Sequence, residues 1–74
     1  MPNLNGRLKS LRLERKILQK DIASDCGIAL RSFKYYESGE RKPDSDIIIK
    51  LCRYFNVSAD YLLGLSDTAE SLEE

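Results

Sequence analysis

Arg31, Lys34, Tyr35 and Ser38 are the residues of this chain best placed by type and spacing to do chemistry. At 100° per residue, a helix running from Leu30 to Ser38 gathers these four on one side and turns Phe33, Tyr36 and, in part, Leu30 to the other. That face offers a planar guanidinium fork, an ammonium group and two hydroxyls, a donor-rich set suited to a polyanion. Arg41 and Lys42 follow immediately. Catalytic chemistry finds much less. The chain has no His, and so lacks the commonest general base and the commonest metal ligand. Asp44 and Asp46 are paired carboxylates, but at the start of a helix capping and the helix dipole account for both. Cys26 and Cys52 lie far apart, fit no CxxC or zinc spacing and occupy apolar positions of helical patterns. They read as small buried hydrophobes, and neither a metal, a cofactor nor a disulfide is expected.

Several short helices must position the cationic face. Leu4, Leu8 and Leu11 recur at helical spacing among Arg7, Lys9, Arg12 and Arg15, which predicts a first amphipathic helix near residues 4–15. Gln19 to Cys26 sets Ile22, Ala23 and Cys26 on one face and stops at Gly27, a second helix. The third runs from Leu30 to Ser38 and ends at Gly39. Glu40-Arg41-Lys42-Pro43 is a polar linker, since the proline cannot continue a helix. Asp44 caps a fourth helix bearing Ile47, Ile48, Leu51, Cys52 and Phe55 as a wide apolar stripe. Asn56 suits a left-handed stop, and Ser58 starts a fifth short helix carrying Tyr61, Leu62 and Leu63 to Gly64. Residues 4–65 thus form one all-α domain of five short helices. The acidic segment 66–74, with Ala69 and Leu72 as its only apolar residues, is either frayed or a helix that forms against a partner.

At 74 residues the chain makes a single small domain, and 42% hydrophobic residues against 32% charged places it among soluble globular proteins. No apolar run approaches the roughly 18 residues of a membrane span, and no apolar N-terminal stretch suggests a signal peptide. A cytoplasmic location is the expectation. The formal net charge of zero hides a strong segregation. Residues 1–42 hold ten Lys/Arg against five Asp/Glu, whereas residues 43–74 hold two against seven. One basic face for a polyanion and one acidic end turned away from it follow from this division.

Residues 19–38 carry the sharpest pattern. Two short helices meeting at a sharp angle need a small residue where their backbones converge, supplied by Ala23, and a positive φ at the turn, supplied by Gly27. Ile22, Cys26, Ile28, Phe33 and Tyr36 then point into a shared core, and this order of apolar and small residues is a helix-turn-helix pattern. With Arg7–Arg12, Gln19-Lys20-Asp21-Ile22-Ala23, Gly27-Ile28, Tyr36–Pro43 and Phe55–Gly64 all in place, the chain resembles the lambda-repressor/Cro-like, or XRE, helix-turn-helix family over residues 4–65.

The resemblance implies a five-helix domain that binds operator DNA, usually as a dimer, with the third helix in the major groove. Arg31 is then the first candidate for base readout, since its fork can bond guanine O6 and N7 together. Lys34, Tyr35 and Leu30 complete the base-contact set, with Tyr35 open to a thymine methyl or a phosphate. Gln19 stands where the family places a residue against the DNA backbone, and the amides beside it suit phosphate. Ser32, Ser38, Arg41 and Lys42 are the other candidate backbone contacts, which fix register without reading sequence. Arg12 and Glu37 match a pair that the family joins by a salt bridge. The chain departs from the family at Leu18 and Ala29, where Ser or Thr usually caps the second and third helices.

A sequence-specific DNA-binding regulator, acting as a repressor on a palindromic operator, is the leading expectation. Its partners would be double-stranded DNA and a second copy of the chain. No small-molecule effector is expected, because the domain fills the chain. Self-contact is expected at the acidic end, through Tyr54, Tyr61, Leu62, Leu65 and Leu72. The alternative is an antitoxin or interaction module whose acidic C-terminal end binds another protein. An enzyme is not expected.

Overall fold

A computed structural model describes residues 3–68 and contains five α-helices: α1 (Leu4–Glu14), α2 (Gln19–Cys26), α3 (Leu30–Ser38), α4 (Ser45–Phe55) and α5 (Ala59–Leu62). Helix α1 ends one residue earlier than its sequence pattern suggests, and α5 ends at Leu62, before Gly64. None of these helices is long and apolar enough to cross a membrane. Both α1 and α2 pack on α3, α4 packs on α2 and on α5, and α5 returns to α1.

The helix boundaries have local causes. Asn3, Asp44 and Ser58 cap α1, α4 and α5, accepting from the amides of Gly6, Ile47 and Tyr61 at 3.0–3.1 Å. Gly27 ends α2 at φ 67°, and the Ile28 amide turns back onto the Ala23 carbonyl at 2.8 Å. Gly39 ends α3 at φ 86°, a left-handed conformation that favours glycine, and a Cβ there would stand 3.2 Å from the side-chain nitrogen of Asn5, which would have to shift slightly. Asn56 ends α4 at φ 57°, as its side-chain type allows. The stop after α1 is different. Lys16 takes φ 56°, its amide donating to Leu13 O and that of Ile17 to Arg12 O, a left-handed closure built on an unfavourable residue.

Helices α2 and α3 begin without a side-chain cap, as Leu18 and Ala29 imply. Their starts are instead flanked by apolar residues. Ile17 precedes Leu18 and Ile22 follows four residues after it, while Ile28 and Phe33 bracket Ala29 in the same way. All four belong to the core cluster or pack against it, the pattern of a hydrophobic staple.

The core is one cluster drawn from every helix. It comprises Leu8, Leu11, Ile22, Ala23, Cys26, Ile28, Phe33, Leu51, Phe55, Val57 and Leu62. Tyr36, expected inside, is half-buried at its edge with Ile47, Ile48 and Cys52. Leu62, expected at a self-contact surface, is fully buried at 0% exposure and unavailable to a partner. Its neighbour Leu63 is the exposed residue of the pair. The two cysteines are free, and burial pushes both thiols above their ordinary pKa. Neutral thiols in an apolar setting behave as packing groups.

One polar interaction lies within this apolar frame. Arg12 binds Glu37 through two bonds, Nε to Oε2 at 2.7 Å and Nη2 to Oε1 at 2.9 Å. Arg12 Nη1 also donates to Ile17 O at 2.9 Å, and Gln19 Nε2 donates to Glu37 Oε1 at 3.1 Å. The bond to Glu37 raises the Arg12 pKa against the opposing pull of burial, so this guanidinium stays charged. The group ties α1, the turn after it and the start of α2 to the last turn of α3.

Two predictions follow from these constraints. Lys16→Gly relieves the left-handed strain, partly offset by greater freedom of the unfolded chain, and should stabilise by about 0.5–1 kcal/mol. In a thermal melt that is a rise of roughly 2–8 °C for a domain of this size; an unchanged melt would show the strain to be negligible. Glu37→Met or Arg12→Met alone should cost about 3 kcal/mol by leaving one charge buried and unpaired. The double substitution leaves no orphaned charge and should cost less than either alone, as urea titrations of the four proteins would reveal.

Candidate nucleic-acid interface

The outward side of α3 is built by the same spacing that buries its inward side. Phe33 and Glu37 point into the protein, which leaves Arg31, Lys34 and Ser38 exposed and Tyr35 half-buried between them. Leu30 is 38% exposed and, with Arg31, Lys34 and Tyr35, lines a shallow open hollow of about 340 Å³. All four candidate base contacts therefore share one concave patch. Ser32 is half-buried.

The patch has internal order. Arg31 Nε donates to Tyr35 Oη at 3.4 Å, one turn along the helix. The Arg41 guanidinium lies 4.9 Å from the centre of the Tyr35 ring, and that of Arg31 lies 5.9 Å from it. The Tyr35 carbonyl accepts from the amides of Gly39 at 3.0 Å and Arg41 at 3.3 Å and from Ser38 Oγ at 3.1 Å. The loop carrying Arg41 is thus folded back onto the residue beside Arg31. Lys42 is exposed next to Arg41.

The remaining candidates divide. Gln19 lies at the start of α2, but its Nε2 is engaged by Glu37, so the side chain's first role is to join that network. The amides of Gln19 and Lys20, which precede the first helical bond of α2, have no capping side chain to donate to. Tyr54 donates to Asp25 at 3.1 Å and meets Phe55 edge-on, and Tyr61 lies under Arg7 at 3.9 Å. Both tyrosines therefore have structural work within the domain. Leu65 is 77% exposed, and Leu72 lies outside the described residues. Asp44 accepts from the Ile47 amide, the capping role its position implies. Among the described residues no group of three His, Cys, Asp or Glu is arranged to hold a metal ion.

Sequence reasoning did not find the Arg31–Tyr35–Arg41 arrangement or the bond from Gln19 to Glu37. Arg31 and Tyr35 stand four apart on a helix, a spacing that brings side chains together. Nothing comparable marks Arg41, which a loop delivers.

Basic segments are also used internally. Arg7 stacks on Tyr61 and bonds Asp67 at 3.3 Å, Arg12 is consumed by Glu37, and Arg15 lies 5.3 Å from the centre of the Phe55 ring. The cations of α1 thus largely hold helices together, while those on and after α3 face outward.

Known proteins share both the sequence pattern and this architecture. The chain is 41% identical over 61 residues to the uncharacterized HTH-type transcriptional regulator YobD of Bacillus subtilis, matching 82% of this chain and 54% of that protein. It is 37% identical over 71 residues to the HTH-type transcriptional regulator ImmR of the same organism, covering 96% and 56%. It is 36% identical over 70 residues to the cryptic phage CTXphi transcriptional repressor RstR of Vibrio cholerae, covering 95% and 62%. The chain therefore spans a little over half the length of these relatives. A transcriptional regulator from Listeria innocua superposes with a TM-score of 0.80 at 32% identity, over 97% of this chain and 65% of that one. The P22 c2 repressor protein, solved with a synthetic operator, shares the fold at a TM-score of 0.82 and 23% identity, over 89% of this chain and all of that one. The helix-turn-helix domain family matches residues 5–67, and with α2 and α3 joined through Gly27 as that motif requires, the chain belongs to this family.

Proposed function

We propose that the chain is a sequence-specific DNA-binding transcriptional regulator, a repressor that occupies an operator with α3 in the major groove. The observation that carries this reading is the outward patch of α3, where Arg31 and Lys34 are exposed beside Tyr35 and Leu30 on a helix anchored from behind by Glu37. An α-helix fits the major groove of B-form DNA, and residues in its N-terminal half reach base edges. Arg31, on the first turn, reads a guanine; Lys34 contacts a base edge or phosphate nearby. Arg41 and Lys42 grip the sugar-phosphate chain, with Ser38 and Ser32 near it. The amides opening α2 lack a capping side chain and offer a phosphate the positive end of a helix. Gln19 contributes through the second N–H of its Nε2, the first being given to Glu37. A cytoplasmic location accords with access to DNA.

A single domain of this size covers a short stretch of DNA, so two copies on a palindrome, with half-sites about one helical turn or about 34 Å apart, supply the specificity of an operator. The self-contact uses the exposed leucines after α5, Leu63 and Leu65, in place of the buried Leu62.

Binding to duplexes selected from a random pool tests the assignment of roles. Arg31→Ala should abolish preference for one base pair of the half-site, a loss of about 1–3 kcal/mol on the selected duplex, and leave nonspecific binding nearly intact. Lys42→Ala should weaken every duplex alike and reduce the salt slope by about one unit or less. An equal loss on all sequences from Arg31→Ala would remove it from base readout. Sedimentation over a range of concentrations, free and with the duplex, should show two copies on the selected site; a strict monomer in both states would defeat the dimer.

A further inference from the structure

Arg31 is an exposed side chain with several rotatable bonds, and an unsupported fork would sample many directions before meeting a base. Its surroundings restrict it. Nε is held by Tyr35 Oη at 3.4 Å, which leaves the two terminal nitrogens, Nη1 and Nη2, as the free edge of the fork. That edge is the one able to bond guanine O6 and N7 end-on. Tyr35 is itself held: its ring carries the Arg41 guanidinium at 4.9 Å, and its carbonyl anchors the loop from Ser38 to Arg41 through three hydrogen bonds. The tyrosine stands between a candidate phosphate contact and a candidate base contact, touching both.

We propose that Tyr35 is the positioning residue for base readout: its hydroxyl accepts from Arg31 Nε, so that the terminal nitrogens of Arg31 present a preformed edge to guanine, while Arg41 fixes the ring. This rests on the base-reading role of Arg31 proposed above and goes beyond it by assigning Tyr35 a task other than contact with a base or phosphate. The half-site then contains a G·C pair whose recognition depends on a hydroxyl that does not touch it.

Tyr35→Phe separates positioning from packing, because it keeps the ring under Arg41 and removes only the hydroxyl. The 74-residue chain and its variants would be titrated with a duplex selected from a random pool, with the same duplex carrying A·T at each G·C pair in turn, and with a nonspecific duplex; thermal melts would accompany each variant. In the wild type one exchange should produce a large loss of affinity, and Arg31→Ala should erase that difference. Tyr35→Phe should shrink the guanine preference at that pair by about three- to tenfold, the size expected of one hydrogen bond, with melting and nonspecific affinity unchanged. Replacing that guanine by 7-deazaguanine, which lacks the N7 acceptor, should accordingly cost the wild type more than Tyr35→Phe. Full guanine preference in Tyr35→Phe, with preference lost in Arg31→Ala, overturns the positioning role and leaves the readout role standing. Undiminished preference in Arg31→Ala overturns both.

Discussion

The orientation of α3 depends on a carboxylate that has no business in an apolar interior unless it is fully partnered. Glu37 is only 7% exposed, and its two oxygens accept three bonds, two from Arg12 and one from Gln19. A hydrophobic residue there would also fill space, but it would fix neither rotation nor axial position of the helix. A bidentate guanidinium–carboxylate pair does both, since its geometry tolerates little slip. Because Arg12 also bonds the Ile17 carbonyl, the same pair holds the α1–α2 turn. Rotation of α3 about its axis would aim Arg31 and Lys34 elsewhere, so the buried pair governs the exposed face from the far side of the helix. Desolvating two charges makes such a pair a modest source of stability, and its value here lies in specifying one geometry.

Helix existence and order were legible in the residues, because strong local signals coincide with the tertiary demand. Gly27, Gly39 and Asn56 end α2, α3 and α4 in left-handed conformations, and Asp44 and Ser58 begin α4 and α5 with side-chain caps. Lys16 gave no such signal. Its left-handed conformation is imposed by the need to bring Ile17 back over α1, a demand invisible to local preference. The buried and exposed members of Leu62-Leu63 were likewise indistinguishable, since α5 spans only Ala59–Leu62 and a single turn shows no periodicity. The outward face of α3 was readable for the opposite reason: nine residues give enough turns for Phe33 and Tyr36, with Leu30 in part, to mark the inward side and define the remainder, although the buried place of Glu37 was not itself read from the spacing. What the spacing could not convey was the loop-borne approach of Arg41 to Tyr35.

The apparent basicity of the N-terminal half also changes meaning once its arginines are located. Arg7 and Arg12 are spent on ion pairs, and Arg7 and Arg15 lie over aromatic rings of α5 and α4. Guanidinium suits this work because it is weakly hydrated, stacks on rings and donates in several directions. The charge available to a polyanion is therefore carried by Arg31, Lys34, Arg41 and Lys42 on and just after α3, with the exposed Lys9, Lys16 and Lys20 beyond them, a smaller set than the sequence division implies.

The pattern of helix caps follows the same division of labour. Side-chain caps are present on α1, α4 and α5 and missing from α2 and α3, the two helices of the motif. A missing cap typically costs about 1 kcal/mol, yet both starts are well formed because Ile17 and Ile22, and Ile28 and Phe33, hold them through the core. Apolar anchorage leaves the first amides of the motif helices without an intramolecular side-chain acceptor. At the start of α2, where a phosphate would lie in the proposed complex, an intramolecular cap would compete for the same donors. Stability drawn from the core and binding drawn from the helix ends are thus separated in this small domain.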